Sequence, residues 1–459
     1  MTDILATTQT GLVRGRRSET HPSVLQFHGI PYAEPPVGRR RFARPEAKEP
    51  WTGVWDGTRR GAIFPQGPSD LDRPMGPTEG ERWEGALTLS VSTPSVEGAR
   101  PVALWLHGGA NCYGGGDVPW YDGASLAANG DMVVVNVNYR LGALGLLHYP
   151  GLNEENLAQC DQLAALRWVR ANIAAFGGDP NRVTVFGQSA GGNAVIYMLA
   201  HPDAEGLFQR AVMLSPSIGR GHHTMADAHR IGRAVLLAVG VDPEVLDHPE
   251  ELRKTVEKLS PEAFLAATDW VMPEFGPEFG GMIFKPVMDA WHTPEATIRA
   301  AVAGAKRCGI PMLLGTTRDE FLAFSEERSP EALTALKAGQ KARFDGPDYA
   351  FAEAAADAGC EIRKMRFDWT PAPDAHYGAC HCIDLPFLFG TTDTWKAPML
   401  AGGDTEAMRA LSRDLQRAFT RFVHGDAPCD DWPRFTREEP MTKRWDGQAN
   451  PVTALRLDD

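Results

Sequence analysis

The chain has 459 residues with 46 basic and 59 acidic side chains, a net charge of −13; hydrophobic and charged fractions of 43% and 23% are ordinary for a globular protein with a large core. Beyond Arg39-Arg40-Arg41 no basic run stands out, which argues against nucleic acid and membrane surfaces as partners; no apolar run approaches a membrane span, and Met1 to Ala6 lack the pattern of a secretion signal. The seven cysteines, odd in number and scattered, point to reduced thiols and a cytoplasmic compartment.

In chain order, Thr10–Gly15 and Val24–Phe27 alternate around glycines and predict small antiparallel strands. Phe27–Gly38 is fixed in an extended path by its prolines and glycines, and residues 65–82 predict an irregular loop. Val102–Leu106 is a continuous apolar strand followed by His107-Gly108-Gly109-Ala110, and Met132–Val137 supplies a second buried strand. From Leu157 to Phe176 the apolar residues Leu163, Leu166, Val169 and Ile173 recur at helical spacing, closed by Gly177-Gly178. Val183–Gly187 predicts a strand, Asn193–Leu199 a helix and Ala211–Leu214 a strand. This alternation through 102–215 predicts an α/β fold with a mostly parallel sheet covered on both faces.

Residues 218–290 break the pattern: short helices are expected first, then loops over Trp270–Phe284, where Pro273, Gly276, Pro277 and Gly280 argue against a single helix and the aromatic residues suit a pocket lining. Strands resume at Ile310–Gly315 and Ile362–Phe367, and a long amphipathic helix runs from Thr405 to about Val423. With no repeat or linker, residues 1–459 read as one unit whose insertions, about 218–290 and 322–380, cover the site.

The chemistry centres on Gly187-Gln188-Ser189-Ala190-Gly191. A serine between a strand and a helix, flanked by glycines that permit a strained turn, is lifted clear of the sheet; an ordinary helix-capping serine is the alternative. The hydroxyl needs a base, and the base an acid, which in such a sheet follow in the order serine, acid, histidine. His424 ends a helix and has a structural reason to be there; His376 remains open; His381 begins an apolar segment that would hold it firmly and is preferred. Asp319 and Glu320 compete for the acid, and spacing does not choose between them. Backbone N–H groups at Gly108-Gly109-Ala110, with that of Ala190, offer donors to an oxyanion; the same glycines lack the ending of a phosphate-binding loop. Cys380-His381-Cys382 lacks a second ligand cluster, so neither metal nor cofactor is expected.

Assembled, these residues resemble the type B carboxylesterases, the α/β-hydrolase family that includes cholinesterases and bacterial para-nitrobenzyl esterases. The likeness rests on FHGIPYAEPPVGRRRF (27–42), WLHGGA (105–110), NYRLG (138–142), NLAQCDQLAALRWV (156–169), FGGDPNRVTVFGQSAGG (176–192), Gly315–Glu320 and His381–Gly390. It implies Ser189 as nucleophile, Glu320 as acid, His381 as base, Gly109, Ala110 and Ala190 as oxyanion donors, and Ser215 as a buried support for the acid. It also implies ion pairs Arg41–Glu84 and Arg140–Asp161. Phe64 and Ala86 stand where many relatives carry a disulfide. Asn111 and Cys112 replace an aromatic residue, Gln188 replaces a common glutamate, and the stretch between Glu320 and His381 is short. Asn111, Cys112, Gln188, Phe275, Phe279 and Phe321 are the candidate pocket residues.

The expected activity is ester hydrolysis through an acyl-enzyme on a small-molecule substrate, by a monomer or small homo-oligomer. Carbamate or aryl-amide cleavage by the same triad is the alternative, and a catalytically silent binding protein on this fold is a third reading. The net charge of −13 weakly disfavours anionic substrates unless local basic residues compensate, and Arg318 is the only basic residue the sequence places near the acid.

Overall fold

The computed structural model describes residues 4–288 and 292–457. Met1, Thr2 and Asp3 of the N-terminal reading, and residues 289–290 of the first insertion, lie outside them.

The framework is one sheet built from β1 (Ile4–Thr8), β2 (Gly11–Arg17), β3 (Leu25–Pro31), β4 (Val54–Asp56), β5 (Thr88–Thr93), β6 (Arg100–Leu106), β7 (Val133–Val137), β8 (Gly178–Gln188), β9 (Arg210–Leu214), β10 (Met312–Thr317), β11 (Ile362–Phe367), β12 (Met441–Trp445) and β13 (Val452–Ala454). Its order is β1-β2-β3-β5-β7-β6-β8-β9-β10-β11-β12-β13, with β4 paired to β2. From β7 to β12 every pairing is parallel, while β1-β2-β3-β5-β7 and β12-β13 pair antiparallel. The β-branched and apolar strands at the centre are buried on both faces: Val102, Leu104 and Leu106 of β6 enter one core, Ala103 and Trp105 the other. The helix Thr405–His424 packs on the second core through Met408, Leu411, Leu415 and Phe419, a spacing that keeps one stripe inward.

The chain order reverses at β6, which lies between β7 and β8. Neighbouring connections therefore leave for opposite faces there, and a crevice opens beyond the carboxyl ends of β6 and β8. Those ends carry Gly108-Gly109-Ala110 and Ser189.

Of the segment expected as loops over Trp270–Phe284, Trp270–Phe279 is instead the end of one helix, Pro261–Phe279, which runs through Pro273 and Pro277, and only Gly280–Phe284 is loop. Phe264, Ala267, Val271 and Phe275 form its buried stripe, whereas both prolines are exposed, so the carbonyls they leave unbonded face water. The antiparallel edge strand β1, the inner strand β5 and the C-terminal β12-β13 pair went unread in the sequence. The expected ion pairs form: Arg140 meets Asp161 at 2.7 and 2.8 Å with both side chains buried, and Arg41 contacts both carboxylate oxygens of Glu84 while donating to the carbonyls of Val256 and Leu259. All seven cysteines are free, and Phe64 and Ala86 are buried in the core.

Candidate active site

Ser189 stands at the end of β8, immediately before the helix Ala190–Ala200, with φ 57° and ψ −122°. Its N–H donates to the Leu214 carbonyl at 2.9 Å, and its own carbonyl accepts from Asn193 N–H at 2.9 Å. The two flanking glycines are required by packing: a Cβ on Gly187 would lie 2.4 Å from the Gly191 carbonyl oxygen, and one on Gly191 2.0 Å from that of Leu106. With no room for side chains on either side, strand and helix close into an elbow that leaves Ser189 partly exposed between buried neighbours.

After β6 the backbone turns through Gly109 (φ 115°), Ala110 (φ 53°) and Asn111 (φ 60°). The Gly109 carbonyl accepts from the N–H groups of Cys112 and Tyr113, each at 2.9 Å, which fixes the turn from behind. The N–H groups of Gly109, Ala110 and Ala190 have no acceptor among the described residues. Donors held in place with no partner suit an oxyanion. His107 underlies the turn, stacked 4.4 Å from Tyr139, and burial pushes its pKa down to about 4, so it stays neutral.

Glu320 follows β10 and His381 lies across from it, both fully buried. His381 Nδ1–H donates to Glu320 Oε2 at 2.5 Å, and Glu320 Oε1 accepts from Thr317 N–H at 2.8 Å. The carboxylate therefore fixes the imidazole with Nε2 as acceptor. Gln188 Nε2 lies 3.1 Å from that nitrogen, and Phe324 and Phe344 flank the ring at 5.2 and 5.3 Å. The other acid, Asp319, accepts from Arg318 at 2.7 Å and from Ala379 N–H at 2.9 Å, pinning the loop that leads to His381. His376 faces Glu326 at 3.0 Å on the surface, and His424 bonds the Gly130 carbonyl at 2.7 Å.

The remaining expected residues separate. Asn111 and Ala190 share a narrow cleft with Asn193, Arg220, His222 and Lys285. Cys112 is a desolvated thiol, pushed up to about 12 chiefly by burial. Phe279 packs edge-on against His223, and Phe321 against Phe344. Phe275 is drawn into the core by the continuous helix. Ser215 is buried with φ 45°, but its hydroxyl has no hydrogen-bond partner among the described residues; Thr317 N–H, unread in the sequence, holds Glu320 instead. Arg318 is also not alone near the acid, because the turn after Gln340 folds back and sets the Arg343 guanidinium 5.5 Å over the Phe321 ring. Nothing in the linear pattern around Arg220, Lys285 or Phe344 singles them out; they meet the site only through tertiary folding.

A sheet whose order reverses beneath a glycine-lined serine elbow defines an α/β-hydrolase. The chain belongs to the carboxylesterase family, whose model matches residues 2–346, and it is a hydrolase of carboxylic esters. It is 37% identical to a para-nitrobenzyl esterase of Bacillus subtilis, over 96% of this chain and 94% of that protein, and 37% identical to a probable N-octanoylanthranilate hydrolase of Rhodococcus erythropolis, over 93% and 94%. Among solved structures, a PNB esterase superposes with a TM-score of 0.84 at 34% identity, covering 98% of this chain and 97% of that one. No helix among the described residues is long and apolar enough to cross a membrane.

Proposed function

We propose that Ser189, His381 and Glu320 carry ester hydrolysis through an acyl-enzyme. The observation that supports this most directly is the placement of His381, which donates to buried Glu320 through Nδ1 and has Nε2 3.1 Å from the residue that precedes Ser189. As Ser189 attacks the ester carbonyl, His381 Nε2 takes its proton, and Glu320 stabilises the imidazolium and keeps the ring aligned. The N–H groups of Gly109, Ala110 and Ala190 receive the developing oxyanion. His381 then protonates the leaving alcohol, activates water against the acyl-enzyme, and returns the proton to Ser189. For the first step the Gln188 amide must leave Nε2, since a lone pair engaged by one donor cannot take another proton.

The test is a burst assay with a short para-nitrophenyl ester beside organophosphate labelling and mass spectrometry of the labelled peptide. Label on Ser189 with turnover stopped supports the assignment; full activity in His381→Ala moves the base elsewhere. A second reading, cleavage of N-acyl aryl substrates by the same residues, is favoured by the name of the Rhodococcus relative. Matched ester, carbamate and anilide substrates separate the two. The free thiols and acidic charge support a cytoplasmic location, which fractionation of the source cell would test.

A further inference from the structure

The net charge of −13 should repel anions at a distance, yet the cleft that opens from the oxyanion turn is lined by cations. Beside Ala190 and Asn111 it presents Arg220 and Lys285, with His222 between. The fold brings them together by pairing: His223 N–H donates to the Pro286 carbonyl at 3.0 Å, and Met288 N–H to the His223 carbonyl at 3.0 Å, so the two segments run side by side. Lys285 is buried, with Nζ donating to the Arg220 carbonyl at 3.0 Å, and Arg220 Nη1 donates to the Gly280 carbonyl at 2.5 Å. Arg343 stands behind: its Nη2 and Nη1 of Arg220 lie 3.3 and 3.4 Å from where a Cβ on Gly280 would stand.

Among the described residues none of these three cations has a carboxylate within ion-pair distance; Asp227, the acid that acts on Lys285, is engaged by Arg230 at 3.2 Å. Burial and the neighbouring guanidinium push Arg220 down to about 10, and burial with Arg220 pushes Lys285 down to about 8. Arg220 and Lys285, desolvated with no counter-charge among the described residues, are costly, and the cost points to a role in holding something that is absent from the free protein. Arg220 and Lys285 each retain N–H donors beyond the one used on a backbone carbonyl.

Building on the assignment of Ser189 as nucleophile, we infer that Arg220 and Lys285 bind a carboxylate carried by the acyl half of the substrate, making the preferred ester a half-ester of a short dicarboxylic acid. The ester carbonyl sits at the N–H groups of Ala190 and Ala110, and the chain reaches along the cleft to the two cations. The narrow cleft limits the acyl group to a few carbons. A planar carboxylate matches the paired donors of a guanidinium, and Arg343 adds to the attraction from behind Gly280.

The experiment compares kcat/KM for monoethyl succinate with that for ethyl levulinate, a neutral ester of similar shape, by alkali uptake at constant pH. The expected ratio is about 10 to 100 in favour of the half-ester, the scale of a charge-assisted pair placed in a binding site. Arg220→Met and Lys285→Met, which keep the length of the side chain, should bring the ratio towards one, and Lys285→Arg should preserve it. A purely packing role would lower both esters alike and leave the ratio unmoved, which overturns the inference, as does a wild-type preference for the neutral ester. Cleavage without half-ester preference overturns the anion site and leaves the Ser189 assignment standing; no turnover of either ester together with an unlabelled Ser189 overturns both.

Discussion

The two flanks of Ser189 are built from opposite materials. On the side of His381, the imidazole and Glu320 are fully buried, Phe324 and Phe344 flank the imidazole, and their order comes from backbone and carboxylate contacts. On the side of Ala190 and Asn111 the wall is polar and cationic, made of side chains borrowed from two distant segments. In the proposed mechanism the first flank meets the atoms common to every ester, whereas the second would meet the part of the substrate that differs and could change without disturbing the first.

That division is broken most decisively at its centre: Ser189→Ala should lower turnover by at least about 10⁴-fold on every ester while the unfolding midpoint stays within a few degrees, measured by steady-state kinetics and calorimetry. Glu320→Gln tests the buried flank alone. A loss of about 10² to 10⁴ in kcat/KM is expected, equal for neutral and anionic esters; unequal losses would show that the flanks are not independent.

Asp384 tests what the buried flank costs in stability. It is 2% exposed, and burial followed by the nearby Glu320 pushes its pKa from 3.8 up to about 7. The folded state favours the protonated form, so the destabilisation is absent below pH 4, grows as pH rises through that interval and is complete above 7. Asp384→Asn should therefore gain roughly 1–4 kcal/mol at pH 8 and nothing at pH 4 by urea denaturation, and a gain independent of pH would refute this. The smallest effect is expected at Gln188→Leu. Removing a neutral hydrogen bond worth about 1 kcal/mol frees His381 Nε2, so organophosphate labelling of Ser189 should quicken about fivefold. Unchanged or slower labelling would mean that the amide helps the attack.

The same contrast explains what could be read from the sequence. The central strands, the serine elbow and the glycine turn are written locally: apolar runs set β6 to β8, and Gly187 and Gly191 are needed because their neighbours are backbone atoms fixed by strand and helix. The helix Pro261–Phe279 defeats local reading, since its two prolines are tolerated only because they face water, which depends on where the stripe from Phe264 to Phe275 docks. Spacing could not choose between Asp319 and Glu320, because the choice depends on which carboxylate points inward. Glu320 meets His381 while Asp319 ties down Arg318 and Ala379. Arg220 and Lys285 are separated by more than sixty positions and meet in the cleft through tertiary contacts, the pairing of His223 with Val287 among them.

Ala110, Asn111, Ser189, Ser215 and Cys382 all have positive φ, and all lie at or beside the elbow, the oxyanion turn or the proposed base. At such positions a β-branched replacement is strained whatever its chemistry, so mutational drift there meets a conformational filter before a functional one. Arg220 and Lys285 carry no such restriction. If the proposed roles hold, a lineage built on this frame can explore new acyl groups through point mutations at Arg220 and Lys285 while the five strained positions stay nearly immobile in sequence, and a mutagenesis library confined to the cleft would sample diversity in substrate choice.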